Sequence, residues 1–177
     1  GNKTSMDTLL LKNLLNNAPN LTSFTIGRNV YLDRFPKIEK NNHLKELYLT
    51  VNNLSQIPLD IDNLTALELF ECSGNKIQGL PDSFSNLKNL KTLILKANNI
   101  NIFPEEILSL QNLNVLWVSG AIKTIPEKID ALSQLEKVAI TNTDVSTLPK
   151  SFSRLKNLKH IDLSNNQLTV FPSPLLK

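Results

Sequence analysis

The stretch Leu90–Ile100, which reads LKTLILKANNI, decides the fold of this chain. Leu93 and Leu95 have the two-residue spacing of a β-strand, which predicts that both side chains face the same side. Ile94 lies between them and must face the opposite side, where a half-buried strand normally carries a polar residue. The stretch therefore predicts a short strand with an apolar side chain on its open face.

The same pattern recurs along the chain at a nearly constant interval. Leu44, Leu67 and Leu90 are 23 residues apart, and only the step from Leu113 to Leu135 is 22. A fixed period in this range indicates a solenoid, in which each repeat covers the apolar face of its neighbour. Segments that fit L-x-x-L-x-L-x-x-N-x-L, some loosely, begin at Leu21, Leu44, Leu67, Leu90, Leu113, Leu135 and Leu158.

A hydrophobic–Pro pair follows each segment. Proline fixes φ and has no N–H, so it suits an extended turn away from the strand. The residues after it have three-residue spacing, as in Ile107 and Leu110, which predicts a short helix or 3₁₀ turn with its apolar side inward. The pairs are Phe35–Pro36, Ile57–Pro58, Leu80–Pro81, Phe103–Pro104, Ile125–Pro126, Leu148–Pro149 and Phe171–Pro172.

An asparagine stands eight residues after the first leucine in most segments. Its amide carries both donors and an acceptor, so a buried asparagine can bond backbone groups that a turn leaves unpaired. We interpret Ala121 and Thr143, which replace it in adjacent segments, as repeat variation; a locally altered edge of the sheet is the alternative. The predicted ladder consists of Asn29, Asn52, Asn75, Asn98 and Asn166.

These motifs resemble the leucine-rich repeat family, from about Leu21 to Leu175. The ending LPxxIxxLxxL, as in LPDSFSNLKNL from Leu80, is similar to repeats of Ras-suppressor-like proteins and of bacterial proteins, including secreted spirochaete ones. The resemblance implies an α/β solenoid shaped as a horseshoe, with a parallel concave sheet of about seven strands and convex 3₁₀ or short helical segments. The period centres the strands near Phe24, Leu47, Phe70, Leu93, Leu116, Val138 and Ile161.

The amino-terminal residues differ from the repeats. Leu9, Leu10, Leu14 and Leu15 lie near helical spacing, and Pro19 ends the pattern. We therefore expect residues 1–20 to form a capping helix or a partial repeat. Residues 21–177 then form the leucine-rich repeat domain.

The column of Ile94 on the concave face contains further large apolar side chains. Parallel strands lie about 4.8 Å apart, so equivalent residues of adjacent repeats become neighbours. A contiguous apolar patch usually marks an interaction site, and Trp and Tyr are favoured anchors. We name the predicted cluster the concave patch; it consists of Leu69, Ile94, Val115 and Trp117, with Tyr48 nearby.

Charged side chains flank the concave patch. Glu46 and Glu71 are expected on one side, and Lys96 and Lys137 towards the other. Such charges can orient a partner and accelerate encounter. These four residues and the concave patch are the predicted partner-binding residues.

The composition argues against several other classes of site. Cys72 occupies a core position of its repeat, and His43 and His160 lie too far away in sequence to serve it as a base. The two histidines have no partner cysteines for zinc, and the acidic residues lack calcium-loop spacing. No catalytic residue, metal ligand or cofactor is therefore expected.

Charge and hydropathy narrow the range of partners. The formal net charge of +3 comes without a basic stripe for nucleic acid, and no run of 18 apolar residues could span a membrane. The favoured function is a non-enzymatic module that binds a protein on its concave face. The alternative is the recognition domain of a larger enzyme or effector.

The cellular setting is less tightly defined by the sequence. One cysteine fits a reducing compartment and equally fits a secreted or surface bacterial protein without disulfides. The resemblance favours the bacterial surface or secretion, with a cytoplasmic scaffold as the alternative. The sequence carries no signal for the oligomeric state or for the identity of the partner.

Overall fold

A single open sheet of parallel strands forms one face of the molecule. The computed structural model describes residues 3–28 and 32–169. Within them the strands pair in chain order, which confirms the predicted fold class and strand centres. The strands are β1 (Ser23–Thr25), β2 (Glu46–Tyr48), β3 (Leu69–Glu71), β4 (Thr92–Leu95), β5 (Val115–Val118), β6 (Lys137–Ile140) and β7 (His160–Asp162).

The inward residues of each strand build the core. Leu93 and Leu95 of β4 are fully buried, as their two-residue spacing predicts. Neither could be covered within its own repeat, because a strand of four residues presents only two side chains to each face. Adjacent repeats supply the missing contacts, so the core runs as one continuous cluster along the solenoid.

The convex side carries short 3₁₀ segments, as predicted. Four of them follow a proline in extended backbone, for example Pro81 with φ −75° and ψ 155°. Ile107 and Leu110 are fully buried beneath this side. The ring of Phe84 meets that of Phe70 edge-on at 5.7 Å, which joins the convex side to the sheet. The segments are Ile61–Asn63, Asp82–Asn86, Glu105–Ser109, Glu127–Ala131 and Lys150–Arg154.

The amino-terminal helix α1 spans Lys3–Asn17. Among its residues 8–17, whose side chains are described, Leu11 and Leu15 are buried, whereas Leu9 and Leu10 are 56% and 54% exposed. The predicted helix is confirmed. Leu9 and Leu10, which were counted among its apolar residues at helical spacing, do not lie on the side that packs against the repeats. Leu11 and Leu15 are four residues apart and lie on the side of the helix that packs against the first repeat. Asn41 Nδ2 also donates to the carbonyl of Leu15 at 2.5 Å.

The asparagine ladder joins consecutive turns through side-chain amides, and Asn75, Asn98 and Asn166 use both the nitrogen and the oxygen. Asn98 Nδ2 donates to the carbonyls of Cys72 at 2.9 Å and Leu95 at 3.2 Å. Its Oδ1 accepts from the N–H of Ile77 at 3.0 Å. Asn52, Asn75 and Asn166 donate in the same way. Asn29, like Phe171–Pro172, lies outside the described residues.

Thr143 keeps a side-chain link where the ladder asparagine is missing. Its hydroxyl bonds Asn166 Oδ1 and accepts from the N–H of Val145 at 3.3 Å. In the preceding repeat, Ser119 Oγ accepts from the N–H of Ala97 at 2.7 Å. Hydroxyl groups thus replace part of the amide bonding across these two turns.

A left-handed residue precedes each ladder position in the described part of the chain. Val51 has φ 52° and Asn142 has φ 54°, although only glycine and, to a lesser degree, asparagine adopt this region readily. Gly120, with φ 141°, also lies so close to the preceding repeat that a Cβ would sit 2.2 Å from the carbonyl oxygen of Ile100. These residues bend the chain away from the sheet; they are Arg28, Val51, Gly74, Ala97, Gly120, Asn142 and Asn165.

Candidate functional site

The outward-facing residues at equivalent positions of successive strands form two columns on the open side of the sheet, which we call the concave columns. One column contains Tyr48, Glu71, Ile94, Trp117 and Ala139, and the other contains Glu46, Leu69, Thr92, Val115 and Lys137. Ile94 pairs directly with Trp117, and Trp117 pairs with Ala139. On the other side, Ile94 pairs with Glu71, which pairs with Tyr48. The outward residues of adjacent strands therefore share rows, as the 23-residue period requires.

The concave patch follows a zigzag path over the sheet. Trp117 lies directly beside Ile94 and two residues along β5 from Val115. Leu69 pairs with Thr92, so it meets Ile94 only diagonally, about 8 Å away by strand spacing and rise. Glu71 and Thr92 thus interrupt the apolar rows. The most compact apolar part is Ile94, Val115 and Trp117, whose side chains are all half-buried.

Lys96 lies over the ring of Trp117, with Nζ 4.1 Å from the ring centroid. This distance allows a cation–π interaction. Lys96, which was predicted to flank the concave patch, therefore also forms part of the surface that Trp117 presents. Lys96 follows the inward Leu95 and again points outward, one repeat away from the indole.

The amino-terminal end of the concave face is acidic. Glu46 and Glu71 flank Tyr48, and Ser23 Oγ donates to Glu46 Oε2 at 2.8 Å. The pKa of the Tyr48 hydroxyl is raised, first by desolvation and then by the charges of Glu46 and Glu71. Tyr48 is therefore a neutral hydroxyl beside two carboxylates, an arrangement suited to a cationic group.

An open concavity of about 470 Å³ lies at the opposite end, beyond Trp117. Ala139, at 4% exposed, forms part of its floor, while Lys137 and His160 are exposed at its side. The sequence predicted Lys137 as a partner-binding residue but gave no signal for a concavity beside it. The register pairs Lys137 with His160, which brings both to one side of the concavity.

One carboxylate faces this basic concavity. Asp162 Oδ1 accepts from the backbone N–H of Ser164 at 2.9 Å. The pKa of Asp162 is lowered, first by the backbone and side-chain hydrogen bonds from Ser164 and further by the charge of Lys96. Asp162 is therefore partly engaged by its own turn, and the concavity as a whole remains suited to an anionic group.

Cys72 is fully buried in the core. Burial raises the pKa of its thiol to about 12, and the charge of Glu71 adds to the effect. Its sulfur also accepts a contact from Asn75 Nδ2 at 3.4 Å. The thiol is therefore protonated at neutral pH and sealed from solvent, which matches the predicted core position.

The described part of the chain contains neither a metal-ligating cluster nor a membrane-spanning helix. Among residues 3–28 and 32–169, no three His, Cys, Asp or Glu side chains come together in a group that could hold a metal ion. The same part of the chain contains no helix with the length and apolarity needed to cross a membrane.

The strand entries carry a charge ladder that the sequence reasoning missed. Glu68 lies between Lys45 and Lys91, with N–O distances of 3.4 and 2.7 Å. Lys159 and Glu136 pair in the same way at 2.9 Å. The signal was present as alternating charge at one repeat position. These pairs link neighbouring repeats beside the concave face, and three lysines against two glutamates leave a small positive excess at that edge.

Comparison with protein families identifies the class. A model described as a leucine-rich repeat region matches residues 12–123, and a leucine-rich repeat model matches residues 157–177. The chain belongs to the leucine-rich repeat family. A comparison with curated proteins gave no match.

Solved structures with the same fold come from bacteria and plants. A leucine-rich repeat protein of Leptospira interrogans is 32% identical over 75% of this chain and 40% of its own, with a TM-score of 0.59. An internalin of Listeria monocytogenes is 25% identical over 90% of this chain and 46% of its own, with a TM-score of 0.69.

A plant receptor shares the fold as well. The leucine-rich repeat ectodomain of a membrane receptor kinase from Arabidopsis thaliana was solved in complex with Casparian strip integrity factor 2. It is 28% identical over 75% of this chain and 17% of its own, with a TM-score of 0.66. The matched region spans less than half of each of these three proteins. Together with the family, these neighbours define a protein-interaction scaffold.

Proposed function

We propose that this protein is a non-enzymatic interaction module that binds a protein partner on its concave face. The observation that carries the proposal is the direct pairing of Ile94 with Trp117 on the open side of the sheet. Both side chains are half-buried, whereas the inward residues beside them, Leu93 and Leu116, are fully buried. A partner can therefore cover apolar area that the fold itself leaves partly open.

The free energy gained by covering a large apolar side chain supports a role for Trp117 as the anchor of the interface. Fully covering a large apolar side chain contributes roughly 1.5–3 kcal/mol, and truncation of an interface anchor costs about 2 kcal/mol or more. Tyr48, Leu69 and Val115 extend the surface on either side of the pair. Glu46, Glu71, Lys96 and Lys137 supply the charges that orient the partner.

The setting we propose is the surface or the secreted fraction of a bacterium, where the module engages host or cell-surface proteins. Two of the structural neighbours, from Leptospira interrogans and Listeria monocytogenes, are bacterial. A core that needs no disulfide is compatible with this setting. A cytoplasmic scaffold is the alternative.

A second candidate is the recognition domain of a larger enzyme or effector. The observation that favours it is the receptor kinase, where a leucine-rich repeat ectodomain with a similar fold is one part of a larger protein. The apparent mass of the natural product on an immunoblot separates the two candidates. A product near 20 kDa supports the independent module, and a much larger one supports the recognition domain.

The binding surface is tested by affinity capture from extracts of host cells with immobilised protein, followed by titration calorimetry on the captured partner. Trp117→Ala should weaken binding by about 30-fold or more, since each 1.4 kcal/mol corresponds to about tenfold. Ile94→Ala should weaken it by a smaller factor. The matched control is Ile102→Ala, which truncates an isoleucine that is 76% exposed away from the concave columns.

Thermal melting of the same variants distinguishes binding from folding. Trp117→Ala should melt close to the parent, because the ring lies outside the core. Unchanged affinity in Trp117→Ala would rule out the concave patch as the binding site. A large drop in melting temperature together with lost binding would instead make Trp117 a structural residue.

A further inference from the structure

The concave columns carry carboxylates at one end and a lysine towards the other. Glu46 and Glu71 lie on β2 and β3, whereas Lys137 lies on β6. Strand β7 adds His160 and Asp162, whose carboxylate accepts a hydrogen bond from its own turn at Ser164. The strands between the two ends, β4 and β5, present uncharged residues at the equivalent positions: Thr92, Ile94, Val115 and Trp117. The concave face thus has an acidic end, an apolar centre over which Lys96 lies, and an end where two lysines, Lys96 and Lys137, outnumber the carboxylate of Asp162.

These terminal charges are left unpaired within the described part of the chain. The ion pairs found there involve neither Glu46 and Glu71 nor Lys137. One position away, at the strand entries, Glu68 does pair with the lysines of both neighbouring repeats. The repeat geometry therefore permits pairing between adjacent strands, and the concave columns instead separate their charges by the width of the apolar centre.

The separation defines a length. Glu46 and Lys137 occupy the same column four strands apart, about 19 Å at a strand spacing of 4.8 Å. An extended chain covers about 3.3 Å per residue, so about six residues span this distance. The curvature of the sheet shortens the path rather than lengthening it.

We propose that the occupant of the concave face is an extended segment of a protein partner with a basic side chain and an acidic side chain about six residues apart. The basic side chain lies between Glu46 and Glu71, an apolar side chain covers Ile94 and Trp117, and the acidic side chain enters the concavity beside Lys137. This inference rests on the proposed function, because it assumes that a protein binds this face.

The charge pattern argues against a uniform polyanion or polycation as the occupant. Nucleic acid or a sulfated polysaccharide would meet Lys137 at one end but be repelled by Glu46 and Glu71 at the other. A strongly basic segment would meet the reverse problem. Only a ligand that changes sign along its length satisfies both ends.

The test uses a displayed library of random peptides of roughly twelve residues, selected on the full chain and counter-selected on Trp117→Ala. The enriched peptides should carry Lys or Arg and Asp or Glu at a spacing of five to seven residues, with an apolar residue between them. Lys137→Glu should weaken such a peptide by roughly tenfold, because an attractive exposed pair becomes repulsive. Exchanging the acidic residue of the peptide for Lys should restore binding to this variant.

Lys128→Glu is the matched control, because this substitution makes the same change in net charge. Lys128 is exposed on the convex 3₁₀ segment Glu127–Ala131, away from the concave face. The substitution should leave the affinity unchanged. Trp117-dependent peptides that show no charge spacing and bind Lys137→Glu normally would overturn this inference while leaving the proposed function intact. If no selected peptide depends on Trp117, both are overturned.

Discussion

The amine of Lys96 lies 4.1 Å from the centroid of the Trp117 ring, so adjacent strands present a cation and an indole as one surface. Such an interaction contributes about 0.5–1 kcal/mol at a partly exposed site. It also fixes a positive charge beside the side chain that is best suited to anchor a partner. Trp117 is the single tryptophan of the chain, which makes its fluorescence a direct probe of the concave face.

Quenching of this fluorescence should depend on Lys96. A unit charge at about 4 Å attracts an anion by about 1 kcal/mol in water, less after screening by salt. Iodide should therefore quench Trp117 more strongly than caesium, and Lys96→Gln should reduce the iodide quenching constant by about two- to fivefold. Acrylamide, which is neutral, provides the control and should change little. Equal iodide quenching in the parent and in Lys96→Gln would contradict the contact.

A buried asparagine of the ladder should contribute more to the free energy of unfolding than an exposed asparagine that bridges repeats. Asn98→Ala leaves the N–H of Ile77 and two carbonyls without the amide, at a cost of about 1–3 kcal/mol in the free energy of unfolding. Asn89 also bridges repeats, through Nδ2 to the carbonyl of Thr65 at 2.8 Å, but it is exposed. Asn89→Ala should cost less than about 0.5 kcal/mol. Urea unfolding measures both, and similar losses would show that burial is not the cause.

Val51 should be a site where stability can be gained. A β-branched residue at φ 52° is strained by roughly 1–2 kcal/mol, and asparagine tolerates this region better. Val51→Asn should raise the unfolding free energy by about 1 kcal/mol and the melting temperature by about 2–4 °C. The sequence already uses asparagine at the equivalent Asn142 and Asn165.

Ile102→Asn is the control for this prediction, because Ile102 is exposed and is not among the described residues with positive φ. The same substitution there removes an exposed apolar side chain without relieving strain. It should therefore leave the melting temperature nearly unchanged. A similar gain at both positions would show that the cause is removal of an exposed apolar side chain and not relief of backbone strain.

Cys72 should make the fold sensitive to alkaline pH. Its pKa rises from 9.0 to about 12 on burial, so above pH 9 the unfolded chain releases the thiol proton while the folded chain keeps it. The unfolding free energy then falls as the pH rises, by up to about 1.4 kcal/mol per unit until the pH reaches the folded pKa. Cys72→Ala lacks this contribution, so the stability difference between parent and variant should narrow between about pH 8 and about pH 10.5.

Urea titrations at the two pH values measure this difference. Thiol labelling provides an independent check, because the buried thiol should react with Ellman's reagent only after urea unfolds the chain. Rapid labelling of the native protein, or a stability difference that does not change with pH, would show that the thiol is accessible.

The sequence by itself determined the solenoid, the strand centres and the sides of the sheet. A strict repeat converts linear spacing into spatial neighbours, so Ile94 and Trp117 could be paired by counting alone. The ladder asparagines and the burial of Cys72 followed from the same counting. These features depend on contacts that every repeat makes in the same way with the next.

Only the tertiary structure decided the features that depend on side-chain reach and backbone conformation. The amine of Lys96 crosses from its own strand to the indole of Trp117, a choice among rotamers that spacing does not specify. Leu11 is buried whereas Leu9 and Leu10 are exposed, because the orientation of α1 determines which of its sides packs against the first repeat. The positive φ of Val51 could not be predicted from the sequence, because the turn of the repeat imposes a left-handed backbone that valine by itself disfavours.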